Sequence, residues 1–186
     1  IFDDHEFLGG MMRYGIPGYR TPRDVLDAEI QRILNLGVDV RLKTRVGTDV
    51  PLAQVQAEFD AVFLGMGAQS GRALPIADPV DAPNVVTATS FLKAFNDGRL
   101  KHVGKRVVVV GGGDTSMDVA TVARRLGHIH NAKPGDFEAA IAGHMAQDVA
   151  DISMRQGADV VLTSVFAVDK MMASKAEVEH AQSEGI

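Results

Sequence analysis

The chain has 186 residues, of which 46% are hydrophobic and 23% charged, with a net charge of −5. That size and mixture bury a globular core in one or two domains. The acidic balance excludes the electrostatic footprint of a nucleic-acid or anionic-membrane binder, and no apolar run approaches a membrane span. Zero cysteines exclude disulfides, thiolate metal sites and a dithiol redox pair within this chain. No signal peptide is visible, and the lack of cysteine fits an expected cytoplasmic residence. The chain starts at Ile1 without a methionine and stops at Ile186 where a helix is about to hand over to a strand, so it reads as an excerpt.

Residues 1–20 are glycine-rich and poorly periodic, a segment that lies on something else rather than building a core. Thr21 is the expected N-cap and Pro22 the first residue of a helix whose Leu26, Ile30, Ile33 and Leu34 follow the 3.6-residue period to a stop at Gly37. Residues 38–42 alternate as a strand. A short helix over 52–59 precedes a second strand at 61–64. Residues 69–84 hold three of the seven prolines and read as a surface connection. Val85 and Val86 make a short strand, Ser90 caps a helix to about Asn96, and Asp97-Gly98 is a turn. A domain boundary is placed there, because a fresh βα unit follows.

That unit is the most informative stretch. Val107-Val-Val-Val110 reads as a buried strand, Gly111-Gly-Gly113 turns the chain, and Asp114 begins a helix that runs to about Gly127. Strand, glycine turn and helix start are the geometry that binds a dinucleotide pyrophosphate on unpaired backbone N–H groups. Gly111 allows the turn, Gly113 lets a phosphate approach, and Ser116 stands where a third glycine packs helix on strand. An ordinary strand–turn–helix is the alternative. The next strand, 159–163, arrives only after a polar loop at 128–136 and an extra helix with Phe137, Ile141, Met145, Val149 and Ile152 on one face. An insertion near 128–156 is therefore expected, and a last helix spans about 173–183.

Five motifs in this order carry a family resemblance: Gly9-Gly-Met-Met-Arg-Tyr-Gly-Ile-Pro17, Tyr19-Arg-Thr-Pro22, Leu36-Gly-Val-Asp-Val40, Asp60-Ala-Val-Phe-Leu-Gly-Met-Gly-Ala68 and Gly111-Gly-Gly-Asp-Thr-Ser-Met-Asp118. Together they resemble the small, FAD-containing subunit of NADPH-dependent glutamate synthase and are similar to the NADPH-oxidising part of dihydropyrimidine dehydrogenase. The resemblance implies an α/β fold of two nested Rossmann-like domains, the NAD(P) domain inserted into the FAD domain and both incomplete in this chain. Residues 1–98 would be the later part of the first FAD half, and 99–186 the opening of the NAD(P) domain. It implies a hydride passing from NADPH or NADH to FAD, and electrons leaving through iron–sulfur clusters outside this chain to a large partner subunit. The protein's part is to position the two cofactors.

On that resemblance Gly9, Gly10, Met12, Arg13, Tyr14, Gly15, Ile16 and Arg20 line the flavin, and Val46 and Gly67 serve its adenine side and the loop between domains. Gly111, Gly112, Gly113, Asp114, Thr115 and Ser116 hold the nicotinamide nucleotide, with Ser164 at the specificity tip. Two readings of Asp114 stay open, ligand contact and helix cap; Arg20 is a pyrophosphate partner or a solvated cation. The family pattern has an arginine pair at the tip, but Thr163-Ser-Val-Phe166 has neither a basic nor an acidic residue, so the choice between NADPH and NADH stays open. No catalytic side chain and no metal site is assigned. His128, His130, His144 and Asp148 tempt a metal reading, yet no motif completes the set. The alternatives to the oxidoreductase are a noncatalytic nucleotide-binding or scaffolding domain and a disulfide reductase whose dithiol lies outside this chain.

Overall fold

The computed structural model describes residues 1–71, 84–129 and 155–186, with 128–129 and 155–156 described by backbone alone. The expected helix carrying Phe137 to Ile152 and the prolines between 72 and 83 lie outside the described residues. The chain forms two compact units, the first of Ile1–Arg13 with Gly18–Gln69, the second of Tyr14–Pro17 with Ser70–Ile186.

In the first unit, α1 (Gly10–Tyr14) begins on the glycine pair, its last residue belonging to the second unit. Helix α2 (Arg23–Leu34) starts one residue later than expected: Pro22 itself takes the N-cap position (φ −53°, ψ 134°), and no side chain caps the helix. Helix α3 (Leu52–Glu58) follows, burying Val55. The expected strand at 38–42 is reduced to one parallel bridge, Phe2 with Arg41. The expected strand at 61–64 does not form, and Val62, Phe63 and Leu64 are exposed. A strand needs a hydrogen-bonded neighbour, and no described segment runs beside these residues.

The second unit has a true core. Helix α4 (Ala88–Asn96) starts earlier than expected because Thr87, not Ser90, is the cap; the Thr87 hydroxyl accepts the Ser90 N–H. Residues 85–86 are not a strand. Strand β1 (Arg106–Val110) and α5 (Asp114–Leu126) fall where the pattern places them, and α5 ends at Gly127 with φ 65°. Positive φ is the left-handed region that glycine enters without a Cβ penalty. The expected loop after it opens instead with β2 (His128–Ile129), paired antiparallel with β3 (Arg155–Gln156). Strand β4 (Asp159–Thr163) then lies parallel to β1, Arg106 opposite Asp159 and Val110 opposite Thr163. A 3-10 turn (Val168–Lys170) and α6 (Lys175–Ser183) complete the unit.

Helix α5 covers one face of the β1–β4 pair, and α4 packs against α5. Phe91, Leu92 and Ala94 meet Val119, Ala120, Val122 and Ala123, with Val109 and Val160 beneath. A second cluster joins Met117 of α5 to Val178 and Ala181 of α6. Strand β1, expected to be buried throughout, is buried on that face only: Val108 and Val110 are exposed, as is Val161 of β4. Alternation is what a strand imposes when one face alone is covered. Arg124 ties the layers, donating to Ala158 O at 2.7 Å and Glu184 O at 3.0 Å.

Candidate functional site

At the end of β1 the three glycines have three different jobs. Gly111 has φ 142°, and a Cβ there would fall 2.5 Å from Ser116 Oγ, so neither backbone nor space admits a side chain. Its N–H donates to Thr163 O at 2.8 Å, which ties the turn to the end of β4. At Gly112 a Cβ would meet Ser164 Oγ at 2.5 Å and Met171 Cγ at 3.4 Å, and the Gly112 carbonyl accepts the Ala173 N–H at 3.0 Å. Gly113 is open, with nothing within 4 Å of a Cβ built there.

Helix α5 starts at once. Ser116 N and Met117 N turn back to Gly113 O, while among the described residues the N–H groups of Gly112, Gly113, Asp114 and Thr115 have no acceptor. Four unpaired donors beside an open glycine, at the positive end of a 13-residue helix, form a cradle for an anion. Asp114 and Thr115 are exposed and Ser116 half-buried against Gly111. The residues therefore fit a dinucleotide pyrophosphate. The Asp114 carboxylate is engaged within the protein: Oδ1 accepts the Ser174 N–H at 3.0 Å.

The tip of β4 borders this cradle through Ser164. The Ser164 hydroxyl accepts the Phe166 N–H at 3.1 Å. Beyond it Val165 is 95% exposed, and Phe166, Val168 and Met172 are exposed too. Asp169 and Lys170 stand exposed in the 3-10 turn.

The flavin-side residues divide between the two units. In the first, a Cβ on Gly9 would meet Leu26 Cδ2 at 3.1 Å. Gly10 opens α1, and Met12 and Arg20 are exposed. Arg13 is turned to structural work: Nε donates to Leu8 O, the guanidinium pairs with Asp27, and it stacks 5.4 Å from the Phe7 ring centroid. Arg23 holds the end of α1 by donating to Met12 O at 2.8 Å and Arg13 O at 2.6 Å. Burial, then the like charge of Arg13, lowers the Arg23 pKa, which Asp27 partly restores. Val46 sits in a bridge with Val50, and Gly67 in the exposed stretch after 61–64. In the second unit Tyr14 and Gly15 are buried and Ile16 half-buried. The Asn96 amide donates to Tyr14 O and Ile16 O, and Lys93 Nζ lies 4.4 Å from the Tyr14 ring centroid.

Ser174 enters this site without having been selected from the sequence, alongside Met171 and Ala173 of the Met171-Met172-Ala173 stretch, which stands where the resembled family has Met-Pro-Ala. The signal that marks Ser174 is Ser174-Lys-Ala-Glu177, a capping-box spacing. His130, His144 and Asp148 lie outside the described residues, and His128 is described by backbone alone. Asp3, Asp4 and His5 bring ligand atoms within 4.8 Å of one another. The protein answers those groups itself, Asp3 accepting the His5 N–H and Asp4 lying 3.9 Å from Arg45.

Comparison with known proteins agrees with this geometry. The family model for the pyridine nucleotide-disulphide oxidoreductases matches residues 5–186. The β subunit of NADP(+)-dependent formate dehydrogenase from Moorella thermoacetica is 41% identical over 129 residues, covering 68% of this chain and 18% of that protein. The PreT subunit of NAD-dependent dihydropyrimidine dehydrogenase from Salmonella typhimurium is 38% identical, covering 68% of this chain and 30% of that one. The small chain of glutamate synthase [NADPH] from Escherichia coli is 36% identical over 140 residues, covering 70% and 30%. The chain thus spans less than a third of the length of these relatives. Among solved structures, FprA from Mycobacterium tuberculosis in complex with NADPH superposes with a TM-score of 0.66 at 19% identity, over 98% of this chain and 39% of that one. At that identity the likeness speaks for the fold alone.

Proposed function

The chain belongs to the pyridine nucleotide-disulphide oxidoreductase family, and on that premise we propose that it is the nucleotide-docking part of a flavoprotein that takes a hydride from NADPH or NADH. Residues 1–98 are the later part of the first half of an FAD domain, ending with α4. Residues 99–186 open an NAD(P) domain nested within it, with an insertion near 128–156. The observation that carries this reading is the cradle at Gly113, with four N–H groups at the start of α5 that have no acceptor among the described residues.

Gly112, Gly113, Asp114 and Thr115 offer backbone N–H groups to the pyrophosphate, while Gly111 and Ser116 shape the turn and Ser164 walls it. Gly9, Gly10, Met12 and Arg20 are the flavin-side contacts, with Arg13 and Arg23 holding the α1 backbone in place and Tyr14, Gly15 and Ile16 anchoring its far end. Val46 and Gly67 serve the adenine side and the interdomain loop. When bound, the nicotinamide supplies a hydride and the flavin accepts it; the protein's task is to align them. Names of relatives that are subunits of larger enzymes support an electron-accepting partner. Among the described residues no helix is long and apolar enough to cross a membrane, in keeping with a cytoplasmic site of action.

Stopped-flow mixing of the full-length, FAD-loaded protein with NADPH and with NADH tests the proposal. Bleaching of the flavin band by either nucleotide is the expected result. Tight flavin that neither nucleotide reduces would overturn it in favour of a noncatalytic nucleotide-binding domain, for which the uncharged tip at Val165 and Phe166 speaks.

A further inference from the structure

We infer that Asp114 is a positioning residue: its carboxylate latches the 164–173 loop over the glycine turn and through that loop sets the affinity for the dinucleotide. The inference rests on the dinucleotide reading above. The chain leaves the sheet at Thr163, whose carbonyl takes the Gly111 N–H, and returns where Ala173 N donates to Gly112 O and Ser174 N donates to Asp114 Oδ1. Between these ties, among the described residues, the hydrogen bonds of 165–172 reach no further than Ser164: Phe166 N to Ser164 Oγ and Lys170 N to Ala167 O. Its side chains Val165, Phe166, Val168 and Met172 are exposed and apolar. Within it Met171 packs half-buried against the Met117–Val178 cluster; the rest of the loop is placed by its ends, and of the three end ties Asp114 supplies the one that depends on a side chain.

Helix electrostatics favour this arrangement. Ser174 caps α6, its hydroxyl accepting the Glu177 N–H at 3.3 Å. The backbone N–H of the cap residue is the donor that a capping-box carboxylate takes from within the same helix. Here a carboxylate from α5 takes it, so Asp114 lies in the first turn of one helix and at the cap of another. Both positive helix ends stabilise its charge. Losing the tie frees the wall that Ser164 and Met171 build against Gly112.

The test titrates the full-length, FAD-loaded protein with NADP+ and with NAD+ by calorimetry, for wild type, Asp114→Ala and Asp114→Asn, with amide exchange of Ser174 followed alongside. Asp114→Ala should raise Kd about tenfold, the size of one charge-assisted hydrogen bond, and speed Ser174 exchange. Asp114→Asn keeps an acceptor oxygen and should restore both to within about threefold. An Asp114→Ala protein that binds within twofold of wild type overturns the inference, even where Ser174 exchange accelerates, since Asp114 would then be structural only. An Asp114→Asn protein as weak as Asp114→Ala also overturns it. If wild type binds neither nucleotide, the dinucleotide reading itself fails, and the role in affinity falls with it.

Discussion

The two units hold themselves together by different means. The second is organised by burial: Phe91, Leu92 and Leu100 pack with the small and branched residues of α5 over Val109 and Val160. In the first, Val55 is the one buried hydrophobic side chain among the described residues. Its order comes from polar ties: Arg13 with Asp27, Arg23 on the α1 carbonyls, and Lys43 with Glu6 at 2.9 Å. Short apolar runs occur in both, Val107-Val-Val-Val110 in one and Ala61-Val-Phe-Leu64 in the other. Only the first is a strand, because β4 lies beside it. The lesson is that an apolar run becomes sheet through its neighbour, while surface ion pairs alone give a unit little stability.

Substitutions can sharpen this contrast, beginning with the core. Leu92→Ala should cost about 2–5 kcal/mol in urea unfolding followed by circular dichroism, since it empties a buried site between α4 and α5. A loss under about 1 kcal/mol would mean that the α4–α5 packing is not what holds the second unit. Arg124→Ala comes next, at roughly 1.5–3 kcal/mol, because it removes hydrogen bonds to Ala158 O and Glu184 O that tie α5 to β4 and to the end of α6.

The glycine turn offers a comparison within the second unit. Gly112→Ala places a methyl 2.5 Å from Ser164 Oγ and should cost about 1–3 kcal/mol. Gly113→Ala meets open space at φ −101°, so stability should hold or rise by about 0.4–1 kcal/mol. Its nucleotide affinity should nevertheless fall at least tenfold, about 1.4 kcal/mol, as the methyl fills the place of a phosphate. Calorimetry on both variants separates the two roles, and an unchanged Kd for Gly113→Ala would sink the cradle. The smallest effect is expected at Phe63→Ser: its ring is 95% exposed, so unfolding should shift by less than about 0.5 kcal/mol.

How much was legible from the residues depended on the kind of element. Helices α2, α3 and α5 fall within a residue or two of expectation, since a helix satisfies its hydrogen bonds internally and its period is local. Their starts were harder to place. Pro22 displaced Thr21, and Thr87 displaced Ser90, because several adjacent residues can cap and backbone geometry chooses among them. Residues 38–42 keep one bridge, and 61–64 and 85–86 pair with no described segment, whereas β2 pairs with β3 26 residues on, where nothing local marks it. The site was legible as a glycine turn and as a family pattern; the role of Ser174 was not, since nothing local to it points to Asp114.

By itself the sequence determined the core of the nucleotide site: four β-branched residues, three glycines and a helix-forming run dictate strand, turn and helix in that order. Tertiary structure decided the rest. It made Gly112 a glycine for the sake of Ser164 and Met171, left Gly113 open, and gave the Asp114 carboxylate a partner 60 residues away. The physical reason is the range of the interactions. Torsional preference and hydrophobic period act over a few residues, but a close approach or a hydrogen bond between two helix ends exists only once both strands are laid side by side.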